Sequence, residues 1–317
     1  MRPVDSPRMG VAESLFALAG TLRQGGANDL SLIFARLALD LEPDFALAQM
    51  LAGDALEDMG RFDSANDMYG RIDSNSPAHW AAQLRIAANY DQLGRLDDSI
   101  HELDSAATQY PDRTDALVEL GDILRRHERW TEAIAAYDRA IALVPKPGRG
   151  EWPLFYARGI AEHEADQWPR AQEDFEHALS LNPDQPDVLN YLGYSWVEKG
   201  VNLERAQQMI EKALAQRPTS GFMVDSLGWL FFRIGQYDKA VAEMERAIEL
   251  TPDDATINSH LGDTLAAVGR TEEARYEWMR ALIYHPDPAL KAELDRKLKE
   301  GFTPPPPIHP SRDAAAQ

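Results

Sequence analysis

Histidine, aspartate and glutamate are the side chains here that could do chemistry. The chain of 317 residues holds 8 His, 52 Asp and Glu, and 0 Cys. Without a thiol there is no disulfide, no thiolate nucleophile, no cysteine-ligated zinc and no iron–sulfur cluster. The histidines (His79, His101, His127, His163, His177, His260, His285 and His309) show no His-Glu-x-x-His or other metal-ligand spacing. His260-Leu-Gly-Asp263 puts an imidazole and a carboxylate three apart, on one side of a helix. Such a pair is far more often structural than a metal site. There is no Gly-x-Ser-x-Gly and no glycine-rich phosphate loop. Pairs of carboxylates carry no signal in so acidic a chain. These residues therefore predict no enzyme, no metal and no cofactor.

Charge and hydropathy narrow the partners. With 32 Lys and Arg the formal charge is −20, which opposes binding to nucleic acid or anionic membrane. No apolar run approaches the ~18–20 residues of a membrane helix. Met1-Arg-Pro-Val-Asp-Ser-Pro7 lacks the basic-then-apolar order of a signal peptide. The chain as written reads as cytoplasmic, or as lying on the periplasmic side of an envelope if it is a fragment of a longer protein.

The elements that must position any site come from a repeat. Pro43, Pro77, Pro111, Pro145, Pro183, Pro218, Pro252 and Pro286 follow one another at intervals of 34, 34, 34, 38, 35, 34 and 34. Five residues before each proline stands Ala, or Ile72 in one case; twelve before stands Ala or Ser. Near the start of each unit comes Ala19, Gly53, Ala87, Gly121, Gly159, Gly193, Gly228 or Gly262. Each unit carries two helical patterns with a turn between them, marked by Gly26, Gly60, Gly94, Gly200, Gly235 or Gly269. Glycine suits the left-handed residue that closes a helix. The small residues let the two helices cross closely. Bulky partners (Tyr69, Leu103, Tyr137, Phe175, Ile210, Met244, Trp278) fill the seams as core. No unit can bury its apolar face alone, so the units must stack.

The seventh unit, Leu227-Gly228, Phe231, Ala240, Met244, Ala247, Pro252, resembles the tetratricopeptide repeat family, whose unit is 34 residues. The resemblance implies an all-α, right-handed superhelical solenoid of eight helix-turn-helix repeats. The expected organisation is a disordered leader (1–11), repeats one to four (12–147), an inserted loop that can act as a hinge (148–151), repeats five to eight (152–288), a capping helix (289–301) and a disordered proline-rich tail (302–317). The cap follows from Leu290, Leu294 and Leu298, an apolar stripe on a charged helix.

The resemblance further implies that places two, five, nine, twelve and thirteen of each first helix point into a concave, partner-binding groove. In the C-terminal half these are Tyr156, Ile160 and His163; Asn190 and Tyr194; Asp225, Trp229, Phe232 and Arg233; Ser259 and Asp263. Aromatics with a few polar groups suit a peptide-binding hot spot; packing between neighbouring units is the competing reading for Tyr194 and Phe232. The N-terminal half offers Asp54, Glu57, Asp58, Asp91 and Asp122 with Arg125 and Arg126. Units one to three hold 17 acidic and 7 basic residues, half of the net charge. Asn190 is the only Asn at a fifth or ninth place, which argues against a clamp for a terminal carboxylate.

Val188-Leu-Asn-Tyr-Leu-Gly-Tyr-Ser-Trp196, Val224-Asp-Ser-Leu-Gly-Trp229 and the turn Gly200-Val-Asn-Leu-Glu204 are similar to bacterial envelope adaptor lipoproteins of this family that partner a carboxyl-terminal processing protease. The expected function is a non-enzymatic adaptor that binds a peptide or partner helix, in envelope proteolysis or assembly. A second reading comes from the first helix, apolar almost all round at Val11, Leu15, Phe16, Leu18 and Leu22. That face would dock another copy, making the chain a self-assembling structural module.

Overall fold

The protein is described here by a computed structural model covering residues 6–308. Seventeen α-helices, and no strand among the described residues, follow the proline ladder. The first four repeats are α1 (Pro7–Gln24) and α2 (Asn28–Leu41), α3 (Ala46–Asp58) and α4 (Phe62–Tyr69), α5 (His79–Gln92) and α6 (Leu96–Gln109), then α7 (Asp115–Arg126) and α8 (Trp130–Ala142). The last four are α9 (Trp152–Glu164) and α10 (Trp168–Leu181), α11 (Pro186–Lys199) and α12 (Leu203–Gln216), α13 (Gly221–Arg233) and α14 (Tyr237–Leu250), then α15 (Ala255–Ala267) and α16 (Thr271–Ile283). A final helix, α17 (Pro288–Glu300), packs on α16. The chain divides into two compact bodies, residues 1–147 with 157–171, and 148–156 with 172–317, so that the fifth repeat contributes to both.

In repeats two, four, six, seven and eight the small residue and the bulky one meet as their spacing requires. A methyl group on Gly53 would lie 2.3 Å from the Tyr69 ring, one on Gly121 2.4 Å from Tyr137, and one on Gly262 2.4 Å from the Trp278 indole. Gly193 and Gly228 stand against Ile210 and Met244 in the same way. The residue after the glycine then braces the ring. Tyr69 Oη donates to Asp54 and Tyr137 Oη to Asp122, each at 2.7 Å, and Trp278 Nε1 donates to Asp263 at 2.9 Å. Gly-Asp followed sixteen residues after the glycine by a polar aromatic is thus a packing unit: the glycine admits the ring and the aspartate satisfies its donor.

The turn glycines all take positive φ, and Glu128 and Asp166 hold that place in repeats four and five at φ 58°. The extra residue of repeat six is absorbed by two left-handed residues, Gly200 (φ 67°) and Asn202 (φ 49°). The ladder prolines also receive bonds. Lys212 Nζ donates to the Pro183 carbonyl at 3.2 Å, Arg246 to Pro218 at 2.6 Å and Arg280 to Pro252 at 3.0 Å. The second helices α12, α14 and α16 are therefore each pinned to the end of the preceding second helix.

Two expectations need correction. The leader is shorter than residues 1–11, because α1 begins at Pro7. Ser6 accepts from the Met9 amide at 3.1 Å, and proline at the first helical position needs no donor. The tail is not free over 302–308. Phe302 meets the Trp278 ring edge-on at 5.9 Å, and the Ile308 amide donates to the Arg233 carbonyl at 2.8 Å. Residues 1–5 and 309–317, His309 included, lie outside the described residues.

Candidate functional site

First helices of consecutive repeats lie side by side in each body. Their shared face is where the expected groove residues fall. In the first body this face is an ion-pair ladder. Arg23 reaches Asp54 at 3.2 Å and Asp58 at 2.7 Å, Arg85 reaches Glu57 at 3.5 Å, and Arg126 and His127 reach Asp91 at 2.9 and 2.6 Å. Burial opposes ionisation of Asp91, but Arg126 and His127 outweigh it and hold the carboxyl below the usual range. The acidic stretch is thus tied to basic groups one repeat away. Ile160 and His163, on α9, are half-buried in this body, and the His163 ring lies edge-on to Trp168 at 5.4 Å.

In the second body Tyr156 lies 6.0 Å from the rings of both Phe175 and Tyr191. Asn190 and Tyr194 stand one turn apart on α11, both half-buried. Asn190 Oδ1 is buried and accepts no hydrogen bond among the described residues. Burial first, then the negative charges of Glu198 and Asp225, push the Tyr194 phenol up. It is therefore a neutral hydroxyl. One repeat along, Trp229 is stacked on Phe232 (4.7 Å) and on His260 (4.0 Å), and its indole donates to Glu198. Arg233 binds the same carboxylate at 3.3 Å.

Behind this layer sits a buried polar network. His260 Nδ1 lies 2.9 Å from Asp225 Oδ1. Burial works against the imidazolium, yet Asp225, with Asp263 and Glu198, holds the His260 pKa above its ordinary value. Lys297 of α17, only 1% exposed, donates to Asp263 at 2.7 Å and to Ser259 at 3.5 Å, and pairs with Glu293 at 2.7 Å.

The structure therefore sorts the expected groove residues. Phe232 (2% exposed) and Asp263 (3%) are buried, as are Ser259 and Asp225. These four offer no surface to a partner: Phe232 lies under Trp229, Asp225 holds His260, and α17 covers Ser259 and Asp263. Asn190, Tyr194, Trp229 and Arg233 keep partial exposure together on α11 and α13, and Tyr156 keeps it on α9. Glu198 and Lys297 complete the network and were not expected from the sequence. The signal for Lys297 was its place, 34 residues after Asp263, as though α17 were a ninth first helix.

No helix among the described residues is long and apolar enough to cross a membrane. A family model described as tetratricopeptide repeat matches residues 84–146, 156–221 and 226–290, more than half of the chain. Among curated proteins, the chain is 25% identical over 183 residues to a TPR repeat-containing protein, PA4667, of Pseudomonas aeruginosa, over 57% of this chain and 30% of that protein. It is 26% identical over 191 residues to the PEX5-related protein of Mus musculus, over 57% of this chain and 33% of that one. The chain spans a third or less of the length of these relatives. The crystal structure of a tetratricopeptide repeat protein from Parabacteroides merdae superposes with a TM-score of 0.60 at 15% identity, over 93% of this chain and all of that one, a likeness of fold.

Proposed function

The chain belongs to the tetratricopeptide repeat family, whose repeats serve as protein-interaction scaffolds, and on that premise we propose that it is a non-enzymatic adaptor. It binds an extended peptide or partner helix on the first-helix face of repeats six and seven. The observation that carries this reading is the partly exposed cluster of Asn190, Tyr194, Trp229 and Arg233 on α11 and α13. Asn190 offers its amide to the main chain of a peptide laid along the face. Tyr194 offers a neutral hydroxyl beside it. Trp229 offers a ring edge already stiffened by its stack, so little ordering is lost on binding. The Glu198–Arg233 pair gives polar selection at the rim. The partner belongs to the bacterial cell envelope, in proteolysis or assembly; the resemblance of Val188–Trp196, Val224–Trp229 and the turn Gly200–Glu204 to envelope adaptors supports this.

The test is cross-linked capture of the partner by the full chain and by Asn190→Ala and Trp229→Ala variants. Each variant should lower affinity by about 1–2 kcal/mol, roughly five- to thirtyfold. Capture unchanged within about 0.5 kcal/mol in both would refute the site.

A second reading, self-assembly through repeat one, is favoured by one observation. Leu30, Ile33 and Leu37 line one face of α2 and are exposed, as are Val11 and Leu18 on α1. Light scattering separates the two readings: oligomers that grow with concentration and vanish on Leu18→Asp or Ile33→Asp support self-assembly. Leu15 is a poorer probe, because it packs against the core at Ala12, Ala38 and Ala48.

A further inference from the structure

The ends of α11 and α13 form a track that is already occupied. At the end of α13 the turn amides use three carbonyls of the last turn: Ile234 donates to Leu230, Gly235 to Phe232 and Gln236 to Phe231. The next carbonyl, Arg233, is left over, as the final carbonyls of any helix are. The Ile308 amide takes it at 2.8 Å. Gly235 and Gly200 clear the way for the same segment. A methyl group on Gly235 would lie 2.8 Å from Pro307 Cγ, and one on Gly200 3.1 Å from Ile308 Cδ1. Upstream, Phe302 is anchored on Trp278, with Lys297 Nζ 5.2 Å from its ring centre.

Residues 302–308 thus touch repeats eight, seven and six in turn. Six residue steps of polyproline helix at ~3.1 Å span roughly 19 Å, which matches two neighbouring helices at ~8–10 Å spacing. Thr303-Pro304-Pro305-Pro306-Pro307 supplies the stiffness for this span with no backbone donor of its own beyond Thr303. Attachment is light. Pro305, Pro306 and Pro307 are exposed, and a backbone hydrogen bond from Ile308 holds the far end.

We propose that the turn edge of repeats six and seven, with the Trp278 ring, is a binding track for an extended proline-rich segment carrying an aromatic residue and, six residues on, a branched aliphatic one. The chain's own 302–308 is its resident occupant, and a partner's proline-rich segment binds by displacing it. The fit rests on two end anchors, one helix-terminal carbonyl and two glycine gaps, and the prolines set the distance between them. The track and the proposed face share Arg233, which gives its carbonyl to one and its guanidinium to the other. Among the described residues, Asn190 has no contact with residues 302–308 and Gly235 belongs to the track alone, so variants at these two positions report on the two sites separately.

The test uses the full chain and a fluorescein-labelled peptide of the sequence Phe302–Ile308 as the probe. In the wild type the tethered tail competes at an effective concentration in the millimolar range. The variant Ile308→Asp loosens the tail in place and should bind the probe at least about tenfold more tightly than wild type. Adding Gly235→Asn to that variant should abolish the gain with the far-UV circular dichroism unchanged, because Asn accepts positive φ while its side chain fills the Pro307 gap. Asn190→Ala should leave probe binding as it was. Equal probe affinity for wild type and Ile308→Asp would overturn the proposal, and so would binding indifferent to Gly235→Asn.

Discussion

The same substitution, Gly to Ala in the middle of a first helix, should stabilise this protein at one position and destabilise it at another. Gly20 in α1 has nothing within 4 Å of where a methyl would go. Alanine there relieves only the backbone entropy of glycine, a gain of about 0.5–1 kcal/mol. Gly262 in α15 is the opposite case. The new methyl would lie 2.4 Å from Trp278 Nε1, 2.5 Å from Cδ1 and 3.1 Å from the Ala274 carbonyl. The indole cannot retreat freely, because Asp263 holds its N–H and Phe302 meets its ring edge-on. Overpacking of this kind costs about 1–3 kcal/mol, and the close approach to a held ring favours the upper half. After the helix-propensity gain of ~1 kcal/mol, the net loss is about 1–2 kcal/mol. Thermal melts followed at 222 nm should show Gly20→Ala shifted up and Gly262→Ala shifted down, by roughly 2–4 °C per kcal/mol. A Gly262→Ala protein as stable as wild type would refute the claim that glycine is required by the ring.

Three further outcomes are expected. Lys297→Ala leaves Asp263 buried without its cation and should cost about 3–5 kcal/mol in urea denaturation; Lys297→Met with Asp263→Asn should recover most of that loss, since the amide still accepts from Trp278. His260 has a pKa raised in the folded state, so its contribution is complete below the unfolded value of about 6.5. That contribution is lost as pH rises through the folded value. Unfolding free energy measured against pH should therefore fall above ~6.5, and Asp225→Asn should flatten the fall. Tyr137→Phe removes the donor to Asp122 while keeping the ring against Gly121 and should cost about 1 kcal/mol; a loss of 3 or more would mean the ring itself had moved.

Much of the fold was readable because its determinants recur. A glycine and a ring sixteen residues apart recur in four repeats, and a proline every 34 or so in all eight. The site was less readable because its determinants are paired across repeats. Asp225 and Asp263 sit at places that would face a partner, but each has a hydrogen-bond partner 35 or 34 residues on, His260 and Lys297 respectively. Position within one repeat cannot reveal that. Trp229 was legible as a prominent aromatic, whereas its stack on His260 depends on the next repeat. The anchoring of the tail is hidden for a related reason. A proline run has low hydrophobicity and reads as free, while its anchors are two single residues and its acceptor is a backbone carbonyl that leaves no trace in composition.

The cross-repeat pairs also decide which repeats could be removed without stranding a charge. Excising residues 80–113 would bring Arg126 and His127 opposite Glu57, the residue that stands 34 before Asp91. Acid would again face base, and the seam would close. Excising repeat seven would set His260 against Asn190 instead of Asp225, and would remove the Arg233 that Glu198 holds. Excising residues 46–79 would instead set Arg85 opposite Arg23 in place of Glu57, base against base, and take Asp54 and Asp58 from Arg23. In both bodies the pairs thus depend on repeat order, and most excisions would strand a charge.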